Sequence, residues 1–348
     1  MPRDGITVRY CSGTLRSGLD DITSIKGVRV GHAEDRSAMS GVTVVLLDRP
    51  SVTACDARGG WPGSYDTASI EVGKTFYRKQ AIFLTGGDVF GYDTGSGIRK
   101  FLVEKKIAGS SAGHMPEVVG TNIYDLSFAK HGESVDYAEL GYKACLRASS
   151  NRVKQGNVGV GLGATVGKLL GSRYRWKGGL GTSAMRILGD VFVGVIVATN
   201  AVGNVFDPET GKTIAGTRRP GTKGAAFIEM GDVLQEYVRK PGRRKRDSRA
   251  TTVGVVVTNL ALTHEQTFKV AQMAHDGLAR VIRPVHATTD GDTIFAVSTG
   301  EIAPNLKEYV DYKLVDAIGE TSAQQVSLAV LSAVRNASSL GGTPGLSS

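Results

Sequence analysis

Residues 251–302 read TTVGVVVTNLALTHEQTFKVAQMAHDGLARVIRPVHATTDGDTIFAVSTGEI, and this stretch decides the fold class. Val253 to Thr258 (VGVVVT) is a short apolar, β-branched run bounded by polar residues, the pattern of a buried strand. Thr263 with Gln266 makes a capping box, and Phe268, Ala271, His275 and Leu278 follow at helical spacing. Pro284 keeps that helix from running on, because proline has no amide hydrogen and its ring clashes with the preceding turn. Thr293 to Thr299 (TIFAVST) is a second strand. Strand, helix and strand within about fifty residues indicate an α/β layered fold.

The same alternation extends upstream. Val42 to Leu47 (VTVVLL), Ala81 to Leu84 (AIFL) and Val191 to Ala198 (VFVGVIVA) read as buried strands. Helices are expected around Ile98 to Lys105 and over Asp136 to Arg147. Downstream, Ser322 with Gln325 predicts the cap of a final helix running through Val334, and the tail from Ser338 (SSLGGTPGLSS) is flexible by composition. Glycine supplies 46 of 348 residues, about twice the usual share of ~7%. No Gly-X-Y period or other repeat accompanies it, so the excess means turns and not collagen.

Composition narrows the function classes. Hydrophobic residues at 41% and charged residues at 22% exclude wholesale disorder. Cys11, Cys55 and Cys145 are odd in number and far apart, which fits a reducing compartment. No secretory apolar region follows Met1, and Val191 to Ala198 is less than half a membrane span, so a soluble, cytoplasmic protein with no membrane partner is expected. The net charge of +9 suggests nucleic acid until it is located. Arg239 to Arg249 (RKPGRRKRDSR) alone carries +6, whereas residues 251–348 carry −3. That segment has almost nothing apolar to bury and no aromatic residue to stack on bases, so an exposed loop is expected and nucleic acid is not. A non-catalytic protein that binds polyanions through residues 239–249 is the alternative from another class.

Familiar cofactor motifs fail one by one. Gly167-Lys168 is followed by Leu169 and lacks the earlier glycine of a phosphate loop. Glycines 159, 161 and 163 do not complete a dinucleotide fingerprint. His264-Glu265 has Phe268 where a zinc-protease helix needs its second histidine, and Ser183 lacks the second glycine of a nucleophile elbow. No metal and no cofactor is expected. What remains is a basic loop that ends abruptly in Ala250-Thr251-Thr252 before an apolar strand. If the 250–251 bond is cut, Thr251 gains a free α-amine beside its own hydroxyl. With a reference pKa near 7.7–8.0 that amine suits a general base at neutral pH, so one residue supplies nucleophile and base. A β-branched residue simply opening a strand is the other reading of the same spacing.

The stretch beginning at Thr251 resembles the nucleophile-bearing region of the L-aminopeptidase/D-esterase (DmpA-like) family. That family also contains β-peptidyl aminopeptidases and nylon-oligomer hydrolases. ITSIKGVRVGH (Ile22 to His32), GVTVVL (Gly41 to Leu46), LTGGDVFGYDTGSGI (Leu84 to Ile98), GNVGVGLGATVGK (Gly156 to Lys168), GGLGTSA (Gly178 to Ala184) and VIVATNAVGNVFD (Val195 to Asp207) match in family order. The likeness covers roughly residues 20 to 335.

The resemblance implies a precursor that cuts itself into an α chain, residues 1–250, and a β chain, residues 251–348, within one structural domain. It implies a four-layer αββα sandwich like that of N-terminal nucleophile hydrolases, assembled as a tetramer of αβ units. Thr251 matches the nucleophile, and Asn200 the amide that helps form the oxyanion hole. Asp290 and Asp292 match the polar or acidic pair near the nucleophile, where carboxylates would orient the α-amine and favour a cationic amino terminus. Tyr124 and Lys168 match positions lining the site in the nylon-hydrolase branch. Several relatives carry Asn or Gly before the nucleophile, whereas this chain has Ala250. Self-cleavage attacks the carbonyl of residue 250, so a small side chain there suffices. The implied activity is an aminopeptidase or amidase acting on short peptides, amides or esters with a free amino end, with 6-aminohexanoate oligomers as the alternative substrate.

Overall fold

The computed structural model describes residues 21–107, 115–222, 224–229, 231–233, 235, 249–303 and 311–347. In chain order the strands are β1 (Val28–Asp35), β2 (Ser40–Ala57), β3 (Arg78–Thr85), β4 (Val118–Asn122), β5 (Thr165–Val166), β6 (Trp176–Lys177), β7 (Gly179–Leu188), β8 (Val191–Thr199), β9 (Asn204–Phe206), β10 (Thr213–Ala215), β11 (Val253–Leu260), β12 (Ile282–Arg283) and β13 (Thr293–Ile302). The α-helices are α1 (Thr94–Glu104), α2 (Tyr137–Leu146), α3 (His264–Ala279) and α4 (Asp311–Arg335). Of the basic segment 239–249, residues 239–248 lie outside the described residues.

β2, 18 residues long, joins the two halves of one eight-stranded sheet. Its first half pairs with β1 on one side and β3 on the other, and β3 runs parallel to β4. Its second half pairs antiparallel with β13, which continues through β11 and β8 to β7. Between the halves the register with β3 shifts, from Leu46 to Ser51, where Pro50 has no amide hydrogen to give.

The two halves pack face to face, because alternate residues of each strand are apolar on both sides. Val45, Leu47, Ile82, Leu84 and Val119 of the first half share one buried cluster with Ile196, Ala198, Val253, Val255, Val257 and Phe295 of the second. The outward residues Val42, Val44 and Leu46 pack under α1 and α2, against Ile98, Phe101, Leu140 and Ala144. On the far side Val195, Val256, Ile294 and Ala296 pack under α3 and α4, against Val270, Ala274, Ile318 and Val330. The result is the αββα sandwich. All eight residues of β11 are buried, which is why its first five, VGVVV, run without a polar residue instead of alternating.

Two expectations need correction. The capping box at Thr263 and Gln266 forms, but Ser322 caps nothing. It lies inside α4, where its hydroxyl donates to the Ile318 carbonyl at 2.6 Å. Val315 and Ile318, ahead of Ser322, already belong to the apolar stripe, so packing extends the helix past the local signal. The tail is not loose either. Asn157 Nδ2 donates to the Ser338 carbonyl at 2.8 Å, Lys177 N–H to Pro344 O at 2.8 Å, and Ser347 N–H to Ala337 O at 3.0 Å. Gly341 and Gly342, both with positive φ, turn the segment back. No helix among the described residues is long and apolar enough to cross a membrane.

Candidate active site

Strand register brings the site together. Val253 of β11 lies opposite Ala198 of antiparallel β8 and beside Thr293 of parallel β13. Stepping two residues back along β11 therefore sets Thr251 between Asn200 and Gly291. The hydrogen bonds agree: Thr251 N–H donates to Asn200 O at 2.9 Å, and Thr293 N–H to Thr252 O at 3.1 Å. Thr251 is buried. The Thr251 hydroxyl donates to the Ala250 carbonyl oxygen at 2.5 Å, and Gly291 N–H donates to the same oxygen at 3.0 Å. Two donors on one carbonyl oxygen polarise it toward attack. Position 291 admits no side chain, because a Cβ there would lie 2.8 Å from Thr251 Oγ1 and 2.6 Å from Trp61 O.

The aspartates flank this turn and hold its backbone. Asp290 Oδ1 accepts from Val202 N–H at 3.3 Å and Oδ2 from Ala287 N–H at 3.1 Å. Burial, and then the nearby charge of Asp292, push the Asp290 carboxyl up to about 7. Asp292 Oδ1 accepts from Thr252 N–H at 2.7 Å, and Oδ2 from His286 N–H at 3.0 Å with His286 Nδ1 at 2.9 Å. The His275 ring stands edge-on to His286, centroids 4.8 Å apart. Burial pushes His275 down to about 4, so it is neutral at physiological pH, with Nε2 2.9 Å from the Asp56 carbonyl oxygen.

Asn200, at the end of β8, is fully buried. Its Oδ1 accepts from Thr165 N–H at 3.0 Å and from the Lys168 ammonium at 2.8 Å, while Nδ2 donates to Tyr124 O at 3.0 Å. Lys168 Nζ also lies 3.4 Å from the carbonyl oxygens of Asn200 and Arg249. All seven residues singled out from the sequence (Tyr124, Lys168, Asn200, Ala250, Thr251, Asp290 and Asp292) thus meet around one peptide bond.

The cleft over that bond is lined by Trp61, Asp88, Asn122, Tyr124, Arg249, Ala250, Thr251 and Thr289, with a cavity volume of about 30 Å³. A small-molecule pocket has ~300–1,000 Å³. Among them, Arg249 holds its guanidinium 4.0 Å from the Tyr124 ring centroid. Asp290 and Asp292 do not line the cleft; Asp88 is the carboxylate that does. Asp88 has φ +52°, which no local sequence signal reveals, and burial pushes its carboxyl up against the opposing pull of Arg249. Gly291, Asp88 and His286 are the residues that sequence reasoning missed. Only the Asp-Gly-Asp turn carried a usable signal, for Gly291. Roomier clefts lie at the opposite end of β13, around Arg49, Thr299 and Gly300, and contain none of these groups. Among the described residues, no group of three or more His, Cys, Asp or Glu side chains is placed to hold a metal.

The model for peptidase family S58 matches residues 20–347. An uncharacterized aminopeptidase of Mycobacterium bovis is 34% identical over 349 residues, covering 94% of this chain and 96% of the relative. A 6-aminohexanoate-oligomer endohydrolase of Paenarthrobacter ureafaciens is 30% identical over 278 residues, covering 79% of this chain and 74% of the relative. The solved L-aminopeptidase D-Ala-esterase/amidase of Ochrobactrum anthropi, a variant of the Ntn hydrolase fold, superposes with TM-score 0.66 at 21% identity, over 93% of this chain and 88% of that one. A Burkholderia β-aminopeptidase gives TM-score 0.62 at 22% identity, over 94% and 90%. The chain belongs to peptidase family S58 and is a hydrolase of peptide or amide bonds, built on the Ntn hydrolase fold.

Proposed function

We propose that the chain cuts its own Ala250–Thr251 bond and that the Thr251 released is the nucleophile of an aminopeptidase. The observation that carries this is the convergence of the Thr251 hydroxyl and Gly291 N–H on the Ala250 carbonyl oxygen. Thr251 Oγ attacks that carbonyl carbon, and Gly291 N–H holds the oxygen as negative charge develops. The C–N bond then breaks, the hydroxyl proton passes to the departing amine, and Ala250 is left esterified to Oγ. Water hydrolyses the ester, giving an Ala250 carboxylate and a free Thr251 amine.

In turnover the same groups are reused. The Asn200 carbonyl, which takes the Thr251 N–H before the cut, anchors the new amine while it accepts the Oγ proton and returns it to the leaving amine. One Asn200 Nδ2 hydrogen is committed to Tyr124 O; the other, with Gly291 N–H, serves the oxyanion. Lys168 and Thr165 fix the amide's orientation. Asp290 and Asp292 act through the backbone they hold, on either side of Gly291. Substrates are short peptides, amino-acid amides or esters with a free amino end. The 6-aminohexanoate oligomers that name one group of relatives are the second class, favoured by the Tyr124 and Lys168 matches. The αβ units assemble as a tetramer, to be checked by light scattering.

A denaturing gel and intact mass test the central step. Fragments of about 26 and 10 kDa are expected, in proportion to 250 and 98 residues of 36.7 kDa. Thr251→Ala should leave one full-length species with no turnover of alanine p-nitroanilide. Cleavage surviving in that variant would place the nucleophile elsewhere.

A further inference from the structure

Once the 250–251 bond is cut, Thr251 keeps one covalent tether, its peptide bond to Thr252. Whatever holds that peptide aims the nucleophile. Its N–H, that of Thr252, donates to Asp292 Oδ1 at 2.7 Å. The other carboxylate oxygen is clamped by a single residue: Asp292 Oδ2 accepts from His286 N–H at 3.0 Å and lies 2.9 Å from His286 Nδ1. A carboxylate oxygen only accepts, so the ring presents Nδ1–H to it. The Asp292 side chain is 2% exposed and that of His286 19%, so water competes little for these bonds. Behind His286 stands His275 of α3, its ring edge-on at 4.8 Å and its own Nε2 2.9 Å from the Asp56 carbonyl oxygen of β2. Two costs accompany this arrangement. His286 adopts φ +54°, a left-handed backbone rare for a non-glycine residue. Its Nε2, and Nδ1 of His275, are buried with no hydrogen-bond partner among the described residues. Backbone strain and unsatisfied buried nitrogens persist where a group has a role to fill. Neither histidine lines the cleft, so that role is not contact with substrate.

We infer that His286 is a positioning residue of the hydrolytic site: it clamps Asp292, and Asp292 in turn holds the Thr251–Thr252 peptide so that the nucleophile is aimed. His275 buttresses the His286 ring from α3. This deepens the reading of Thr251 as nucleophile and rests on it. The clamp bears on the attack by Oγ and little on substrate binding, because it leaves the cleft wall untouched. It also bears on both reactions of Thr251, the cut of its own chain and the turnover that follows.

Kinetics on alanine p-nitroanilide test the clamp. His286→Gly removes the ring and keeps the left-handed backbone. It should lower kcat by roughly tenfold or more, the scale of a misplaced reacting group, with KM within about twofold of wild type. His286→Asn also tolerates that backbone, and its Nδ2 stands where Nδ1 stood, so most of the lost kcat should return. Self-cleavage rates, read on a gel, should fall in the same order: wild type, Asn, Gly. Full kcat in His286→Gly overturns the inference, and so does a loss carried by KM or one that Asn leaves unrepaired. A second arm needs no turnover. Full-length Thr251→Ala carrying isotope-labelled histidine should show a downfield, slowly exchanging ring N–H resonance that is lost in His286→Asn and moves upfield in Asp292→Asn. A spectrum unchanged by Asp292→Asn overturns the inference. Wild type that turns over no amide counts against the nucleophile reading instead, and the resonance arm then decides the clamp alone.

Discussion

At Gly291 a missing side chain and a single N–H do two jobs. The hydrogen on nitrogen reaches the Ala250 oxygen, and the absence of Cβ leaves room for the Thr251 hydroxyl. Gly291→Ala should therefore slow self-cleavage by roughly 10²-fold or more, the scale of losing one oxyanion donor. A gel time course of freshly expressed protein reads this directly, and processing at the wild-type rate would remove Gly291 from the mechanism. Asp290 gives a pH signature. Its carboxyl titrates near 7 in the fold and near ~3.9 when unfolded. Between those values the folded chain keeps the proton and the unfolded chain loses it. The associated stability is present below about pH 4 and is lost as pH rises toward 7. Asp290→Asn stays neutral in both states, so its stability relative to wild type should rise between pH 4.5 and 7.5 in urea titrations. Parallel pH profiles would contradict the buried-acid account. His275, pushed the opposite way, is common to both proteins and cancels in the difference.

Two identical-looking helix signals behave differently, and the element scale explains why. Thr263 accepts from Gln266 N–H at 3.2 Å, and the Gln266 side chain returns the bond to Thr263 N–H at 2.9 Å. Ser322 bonds the carbonyl four residues back. Thr263→Ala should cost about 1 kcal/mol, as loss of an N-cap does. Ser322→Ala should cost less, because the interior helix gains propensity while losing one hydrogen bond. Urea midpoints of the two variants decide it; a larger loss at Ser322 would mean the cap assignment is reversed. Helix α3 itself was legible, from its capping box and the spacing of Phe268, Ala271, His275 and Leu278. The start of α4 was not, since Val315 and Ile318 join the helix through their packing in the core.

For the whole molecule, charge and fold separate cleanly. The excess positive charge is concentrated in residues 239–249, directly before the proposed cut, while residues 251–348 are net acidic. Replacing the six basic residues from 239 to 246 by glutamine should leave self-cleavage and amide turnover intact. Any DNA affinity of wild type should fall steeply with salt and disappear in that variant. Amide turnover lost together with DNA binding would make the basic segment part of the hydrolytic site.

The sequence by itself determined which segments become buried strands, because β-branched apolar runs such as VGVVVT and VFVGVIVA have no stable place except a buried sheet. Through its motifs it also pointed to Thr251, Asn200 and the Asp-Gly-Asp turn. Only the tertiary structure decided which groups face the reacting bond. The pairing of β11 with β8 and β13 brings Asn200 and Gly291 to Thr251. It turns Asp290 and Asp292 inward onto backbone amides and leaves Asp88, far away in sequence, as the carboxylate in the cleft. Such choices depend on long-range register, where a one-residue slip sends every side chain to the other face. Local patterns set which residues become strands, and register sets which side chains meet.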